Sequence, residues 1–246
     1  MTDLIQTSTD KGVLTIRMNR PEKKNAITLD MYRTITTTLQ AAADDDAVRV
    51  ILIGGVPGAF SAGNDIKDFL TLAEGGLQRT EIHDFLTAIA CGTKPMIAAV
   101  DGLAIGIGTT LLMHCDLTYA SSRSVFRTPF IDLGLTPEAG SSLIGPRIMG
   151  DQRAFALLAL GETFDAEAAR EAGFVYKVVE YDVEAVALEA AQRLAQKPPR
   201  AVAIARQLLR GDRKDVVERI ELEIEHFSER LTSDEARAAF TAFMAR

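Results

Sequence analysis

Twice in this chain an apolar, β-branched run breaks into a glycine-rich turn and then into the start of a helix. The first junction is Val48-Arg-Val-Ile-Leu-Ile-Gly-Gly followed by Val56-Pro-Gly-Ala-Phe-Ser-Ala-Gly-Asn-Asp-Ile-Lys. The second is Met96-Ile-Ala-Ala-Val-Asp-Gly-Leu-Ala-Ile-Gly-Ile-Gly-Thr-Thr. Short runs of this kind read as strands buried on both faces, which directs the chain toward an α/β fold. Other signals alternate with them. Leu14, Ile16 and Met18 alternate with Thr15 and Arg17 in a half-buried strand, and Leu117–Ala120 and Phe174–Val179 read as further strands. Thr28 is placed to cap a helix running to about Ala43, with Leu29, Tyr32, Ile35 and Leu39 on one face. Ile82, Phe85, Leu86 and Ile89 mark a second amphipathic helix, ended near Gly92 and Pro95. Ile107–Cys115 is apolar nearly all round, so a helix there is expected to be deeply buried. Asp165 is placed to cap a short helix that stops at Gly173.

After about Tyr181 strand signals stop, and Ala, Glu, Arg and Leu dominate. Helices are expected at Val183–Gln196, Ala201–Leu209, Asp212–Leu231 and Ser233–Ala245. Val216, Ile220, Ile224, Phe227 and Leu231 form a stripe suited to another helix, within the chain or between subunits. The organisation expected is therefore an α/β core over residues 1–181 and a helical region over 182–246 that serves assembly.

Composition removes several alternatives. With 27 basic and 34 acidic residues the net charge is −7, which disfavours nucleic acid or an anionic membrane as partner. Two cysteines exclude a disulfide scaffold, and three histidines far apart in sequence give no zinc spacing, so no metal is expected. The N-terminus lacks the apolar segment of a signal peptide. The longest apolar stretch, Met96–Leu117, is interrupted by charge and glycine. A cytoplasmic protein is the default expectation.

Helix starts present unpaired backbone N–H groups, and glycine lets a ligand approach the main chain closely. Two such starts brought together form a cradle for a developing oxyanion. Familiar alternatives do not fit. The second junction lacks the Lys-Ser/Thr of a phosphate loop. A dinucleotide fingerprint starting at Gly106 requires Gly where Leu111 stands, and Ala59 occupies the glycine position two before Ser61 that a serine elbow requires.

Ala59-Phe-Ser-Ala-Gly-Asn-Asp-Ile-Lys and Asp101-Gly-Leu-Ala-Ile-Gly-Ile-Gly, followed by Cys115-Asp, resemble the crotonase (enoyl-CoA hydratase/isomerase) superfamily. Asn19-Arg-Pro-Glu-Lys-Lys-Asn-Ala resembles that family's N-terminal acyl-CoA motif. Leu133-Gly-Leu-Thr-Pro-Glu-Ala-Gly-Ser-Ser and Glu167-Ala-Ala-Arg-Glu-Ala-Gly-Phe-Val resemble two later blocks. The resemblance implies a spiral of ββα units with a C-terminal helical trimerisation region, assembled as a homotrimer or a dimer of trimers. It implies an acyl-CoA substrate whose thioester oxygen lies between two backbone N–H groups, carried over by position to Ala62 and Ile107. Coenzyme A enters as part of the substrate, and no separate cofactor is implied. It lends a CoA-binding role to Lys24, Ala26, Asp65, Ile66 and Lys67, and places Phe243 and Arg246 near the CoA of a neighbouring subunit.

The hydratases of this family use two glutamates to activate water. The matching residues here are Thr110 and Phe130, and neither performs that proton transfer. A carboxylate remains at Glu138, in a Pro-Glu-x-x-Ser-Ser block that resembles the family's Δ3,Δ2-enoyl-CoA isomerases, where the Glu is the base. A Glu facing an apolar acyl pocket is expected to have a raised pKa, which suits a base at neutral pH. Phe130, Leu133 and Leu135 are expected pocket walls, and Thr110 is placed to hydrogen-bond substrate or water. Asp132, Glu162, Asp116 and His114 compete as candidates, with Asp116 and His114 read as structural. The expected activity is isomerisation of 3-enoyl-CoA to 2-enoyl-CoA. Hydration of 2-enoyl-CoA, and a non-catalytic acyl-CoA-binding protein, are the alternatives.

Overall fold

A computed structural model describes residues 4–68 and 81–244, with the side chains of residues 243–244 outside the description. The strands are β1 (Ile5–Asp10), β2 (Val13–Met18), β3 (Val50–Gly54), β4 (Ala59–Ser61), β5 (Met96–Val100), β6 (Leu103–Ile105), β7 (Leu117–Ser121), β8 (Val125–Arg127), β9 (Phe164–Asp165) and β10 (Lys177–Val179). They form two sheets, ordered β1-β2-β3-β5-β7-β10 and β4-β6-β8-β9. Strands from β2 to β10 in the first sheet are parallel, with β1 antiparallel at the edge. In the second, β4, β6 and β8 are parallel and β9 is antiparallel.

The chain lays β3, β5 and β7 side by side in one sheet. Each then turns at once to place β4, β6 and β8 side by side in the other. This repeated step is the expected spiral of ββα units. It requires a sharp corner after each long strand. At the corner after β5, Gly102 has φ +80°, and a Cβ there would lie 2.0 Å from the Gly58 carbonyl oxygen. Only glycine fits so close an approach.

The helices include α1 (Leu29–Asp44), α2 (Glu81–Cys91), α3 (Ile107–Thr110), α4 (Ser141–Met149), α5 (Asp151–Leu158) and α6 (Ala166–Ala172). Thr28 caps α1 by accepting from Met31 N at 3.2 Å, and Asp165 caps α6 by accepting from Ala168 N at 2.7 Å. The buried stretch after Gly106 is not one long helix. It is the single turn α3 followed by a 3₁₀ segment, Leu111–His114. Cys115 then leaves that segment in extended conformation, and β7 begins two residues later.

The tail contains α7 (Val183–Ala195), α8 (Pro199–Arg210), α9 (Lys214–Leu231) and α10 (Asp234–Met244). Helix α7 belongs physically to the sheet. Its Val183, Ala187, Ala190 and Ala191 bury the face carrying Val50, Leu52, Ile97 and Tyr119. The other face carries the main core with α1 and α2. Val216, Ile220, Phe227 and Leu231 of α9 join that core, so the apolar stripe is used within the chain. Among the described residues no helix is long and apolar enough to cross a membrane.

Candidate functional site

The two glycine-rich junctions are pressed together. A Cβ on Gly63 would lie 3.0 Å from the Ile105 carbonyl oxygen, and one on Gly108 would lie 2.9 Å from that of Ser61. Asn25 clamps the N-terminal motif to the same place. Fully buried, it donates from Nδ2 to Ala59 O at 2.8 Å and Phe60 O at 3.1 Å, and accepts from Arg20 N at 2.7 Å. Its carbonyl accepts from Ser61 Oγ at 2.9 Å. A buried amide satisfied on both ends fixes its surroundings.

This clamp changes one expected role. The Ala62 N–H donates to the Lys24 carbonyl at 2.9 Å, so it is already spent and does not serve as an oxyanion donor. Among the described residues the next amide without an acceptor is that of Asn64. Ile27 takes both flanking groups, donating to Gly63 O at 2.8 Å and accepting from Asp65 N at 2.9 Å. In extended chain the intervening N–H points to the other side. Asn64 is also oriented through its side chain, since Tyr32 Oη donates to Asn64 Oδ1 at 2.5 Å. Ile107, at the start of α3, keeps an N–H without an intrahelical acceptor. Its side chain is fully buried in the core.

Glu138 is buried, at 6% exposure, and accepts from Thr110 Oγ1 at 2.5 Å. Burial pushes its pKa up to about 8; the Thr110 bond pulls it down, and the Glu223 charge adds to the rise. A carboxyl with that pKa is roughly one-tenth ionised at pH 7 and half-ionised near pH 8, the range in which a general base works. Tyr32 stands near enough that burial first, and then the Glu138 charge, hold its phenol in the protonated form. Tyr32 and Asn64 stand at the site although the sequence does not single them out for it. Tyr32 sits in the apolar stripe of α1, and Asn64 was passed over for its neighbour two positions before.

Phe130 and Leu135 are buried, and Leu133 is half-buried against the same core. Phe130 also approaches the second junction, its ring 3.9 Å from where a Gly106 Cβ would be. Thr110 is thus spent on Glu138 in this arrangement, leaving Phe130, Leu133 and Leu135 as apolar surroundings.

The expected CoA contacts divide. Lys24 is exposed and Ala26 half-buried beside the clamp. Asp65 is taken up internally: its Oδ2 accepts from Arg20 at 2.6 Å and its Oδ1 from Lys67 N at 2.9 Å. Burial alone raises the Asp65 pKa, but these partners hold it below the usual carboxylate range. It is a ionised clamp rather than a free acceptor for adenine. Ile66 packs half-buried against the core and Lys67 is exposed. Phe243 lies in α10 with its side chain outside the described part, and Arg246 lies outside the described residues.

The competing residues have structural partners. Asp116 accepts from Met96 N and Arg206, Asp132 pairs with Arg127, and Glu162 is exposed. His114 is buried, donates from Nε2 to Ala139 O at 2.7 Å and accepts from Arg213 at 3.3 Å. Burial lowers its pKa to about 3, so it stays neutral.

A family model described as enoyl-CoA hydratase/isomerase matches residues 8–246. Enoyl-CoA delta isomerase 2 of Rattus norvegicus is 34% identical over 250 residues, covering 98% of this chain and 63% of that protein. The chain thus spans less than two thirds of that relative's length. The 1,2-epoxyphenylacetyl-CoA isomerase of Escherichia coli (strain K12) is 31% identical over 255 residues, covering 100% of this chain and 97% of its own. A solved structure of Pseudomonas aeruginosa OdaA superposes with a TM-score of 0.96 at 42% identity over 100% of both chains. By the extent of these matches and by its two-sheet spiral, the chain belongs to the enoyl-CoA hydratase/isomerase family of the crotonase superfamily.

Proposed function

We propose that the protein isomerises 3-enoyl-CoA to 2-enoyl-CoA with Glu138 as the base. The observation that carries this reading is the buried Glu138 carboxyl with a pKa raised to about 8, held by Thr110 beside the joined junctions. The thioester oxygen accepts hydrogen bonds from the Asn64 and Ile107 amides. Glu138 takes a proton from C2, and the electrons of that C–H bond pass into the thioester to form a dienolate. The amides stabilise the oxygen charge, each by roughly 3 kcal/mol in the transition state. Glu138 then returns the proton at C4, and the double bond comes to rest between C2 and C3. Phe130, Leu133 and Leu135 exclude water from the acyl chain.

Thr110 follows the proton. It lies 2.5 Å from Glu138 Oε1 and 3.4 Å from Gly106 O. Its one hydrogen points to the carboxylate when Glu138 is ionised. It is free to turn to the carbonyl when Glu138 is protonated. Replacing Thr110 with Val removes the bond that favours the ionised form. The acid limb of kcat/KM is then expected to move to higher pH by roughly 0.5–1 unit. A superimposable profile would remove this role.

Lys24 and Lys67 are exposed cations suited to CoA phosphates, with Ala26 and Ile66 beside them. Phe243 and Arg246 complete the CoA site of a neighbouring subunit, and residues 182–246 serve assembly into a trimer or a dimer of trimers. Relatives named as hydratases, such as the probable enoyl-CoA hydratase of Rhizobium meliloti at 33% identity, make hydration the competing activity. Thr110 and Phe130 at the two hydratase carboxylate positions weigh against it.

Paired assays on purified protein decide between them. With 3-hexenoyl-CoA, rapid appearance of 2-hexenoyl-CoA is expected, and with 2-hexenoyl-CoA, slow or no addition of water. Fast hydration without isomerisation would overturn the proposal, and tight CoA binding without turnover would point to a binding protein.

A further inference from the structure

The turn carrying Glu138 does not hold itself. Ala139 and Gly140 follow with φ of +61° and +67°, two successive left-handed residues, one of them with a Cβ. Helix α4 then begins at Ser141 with Gly140 as its N-cap, a residue with no side chain to cap with. The missing cap comes from the tail. Glu223, at the middle of α9 and 6% exposed, accepts from Gly140 N at 2.5 Å, Ser142 N at 2.9 Å and Ser142 Oγ at 2.5 Å. The packing is equally close, since a Cβ on Gly140 would lie 3.1 Å from Val216 Cγ1. From the other side, His114 donates to the Ala139 carbonyl, and Arg213 donates to His114.

We infer that Glu223 is a positioning residue for the base: from the tail helix it holds the turn that carries Glu138 and presents its own carboxylate across that turn. This rests on Glu138 being the base.

The charges around the pair support that reading. Facing Glu138 are the Thr110 hydroxyl, the neutral Tyr32 phenol and Glu223 itself. Arg219 of the same helix donates to Ser142 Oγ at 3.1 Å and favours the ionised Glu223. Burial acts first and raises the Glu223 pKa, while the three donors oppose it. The remaining charged side chains of α9 pair elsewhere or are exposed. Asp215 pairs with Arg147 of α4, Glu221 with His83 of α2, and Arg230 with Glu235 of α10. His114 is neutral. The Glu223 carboxylate is therefore the anion that Glu138 meets across the turn.

The test reads Glu138 directly. Full-length protein labelled with ¹³C at glutamate carboxyls is titrated by NMR, with the Glu138 signal assigned by its loss in Glu138→Gln. In Glu223→Gln the Glu138 midpoint is expected to fall by roughly 0.3–0.5 pH unit, less than the Thr110→Val shift, because a like charge has been removed. The acid limb of kcat/KM on 3-hexenoyl-CoA should move with it, and kcat should drop about tenfold as the turn loosens. Ser142→Ala removes one donor at a half-buried site. It should lower kcat in the same direction by less, and it decides the matter if Glu223→Gln does not fold. A folded Glu223→Gln with an unmoved Glu138 midpoint would overturn the inference, as would a Ser142→Ala protein with wild-type kcat if it stands alone. A shifted midpoint in a protein that hydrates instead of isomerising would leave the coupling standing and remove the isomerase reading.

Discussion

Glu138→Gln is expected to lower the rate of isomerisation by roughly 10³-fold, the scale on which a positioned general base contributes. The substitution keeps the volume of the side chain and an oxygen to accept from Thr110 Oγ1, so the pocket should survive. Both chemical steps fail together, because the same carboxyl removes the proton at C2 and returns it at C4. CoA binding depends on groups elsewhere and should change by less than about threefold, roughly half the free energy of a tenfold effect. The measurement is kcat with 3-hexenoyl-CoA alongside the calorimetric affinity for CoA. A variant with near wild-type turnover would place the base elsewhere. A variant that loses binding and turnover equally would show damage to the pocket rather than to the chemistry.

The same carboxyl is expected to weaken the fold as the pH rises. Burial moves its pKa from the ordinary 4.5 to about 8, with the Thr110 bond offsetting part of the rise and Glu223 adding to it. Below the lower value both folded and unfolded chains carry the proton. Between the two values the unfolded chain releases it and the folded chain keeps it. Stability therefore falls by about 1.4 kcal/mol per pH unit across that window. Above the upper value the full loss, on the order of a few kcal/mol, has been incurred. Glu138→Gln lacks this ionisation. Its thermal midpoint should rise relative to wild type between pH 5 and pH 9, by roughly 8–16 °C for a chain of this size. Scanning calorimetry at both pH values checks it. A difference that stays constant with pH would mean that Glu138 titrates as an ordinary exposed carboxylate.

These two expected effects have one origin, a carboxyl kept from water. A protein that buries a charge-prone group at its working site accepts lower stability there.

Much of this arrangement was written in local sequence. The cap at Thr28, the stripe of α9 and the apolar runs of β3 and β5 announce themselves, because each depends on residues within a few positions of one another. Glu138 was legible through its block and through the loss of carboxylates at Thr110 and Phe130. The strands of the second sheet were not, since β4, β6 and β8 are only three residues long and too short to show a period. Strand β1 was missed because most of its residues face solvent, and an edge strand of this kind carries little apolar signal. The Ala62 amide is taken by a hydrogen bond to Lys24, a contact between segments far apart in the chain, which is why the proposed donor is the Asn64 amide. Glu223 was hidden for the same reason. It sits in a helix rich in charge, and only its distant partners at Gly140 and Ser142 distinguish it from a solvated surface residue.

The proton shuttle itself is tested most directly by following one atom. 3-Hexenoyl-CoA carrying deuterium at both C2 positions is incubated with the protein in ordinary water, and the product is read by mass spectrometry and NMR. The expected product is 2-hexenoyl-CoA with one deuterium still at C2 and the other moved to C4, a transfer absent in Glu138→Gln. A product heavier by one water, or a conjugated product with only protium at C4, would contradict a single shielded base.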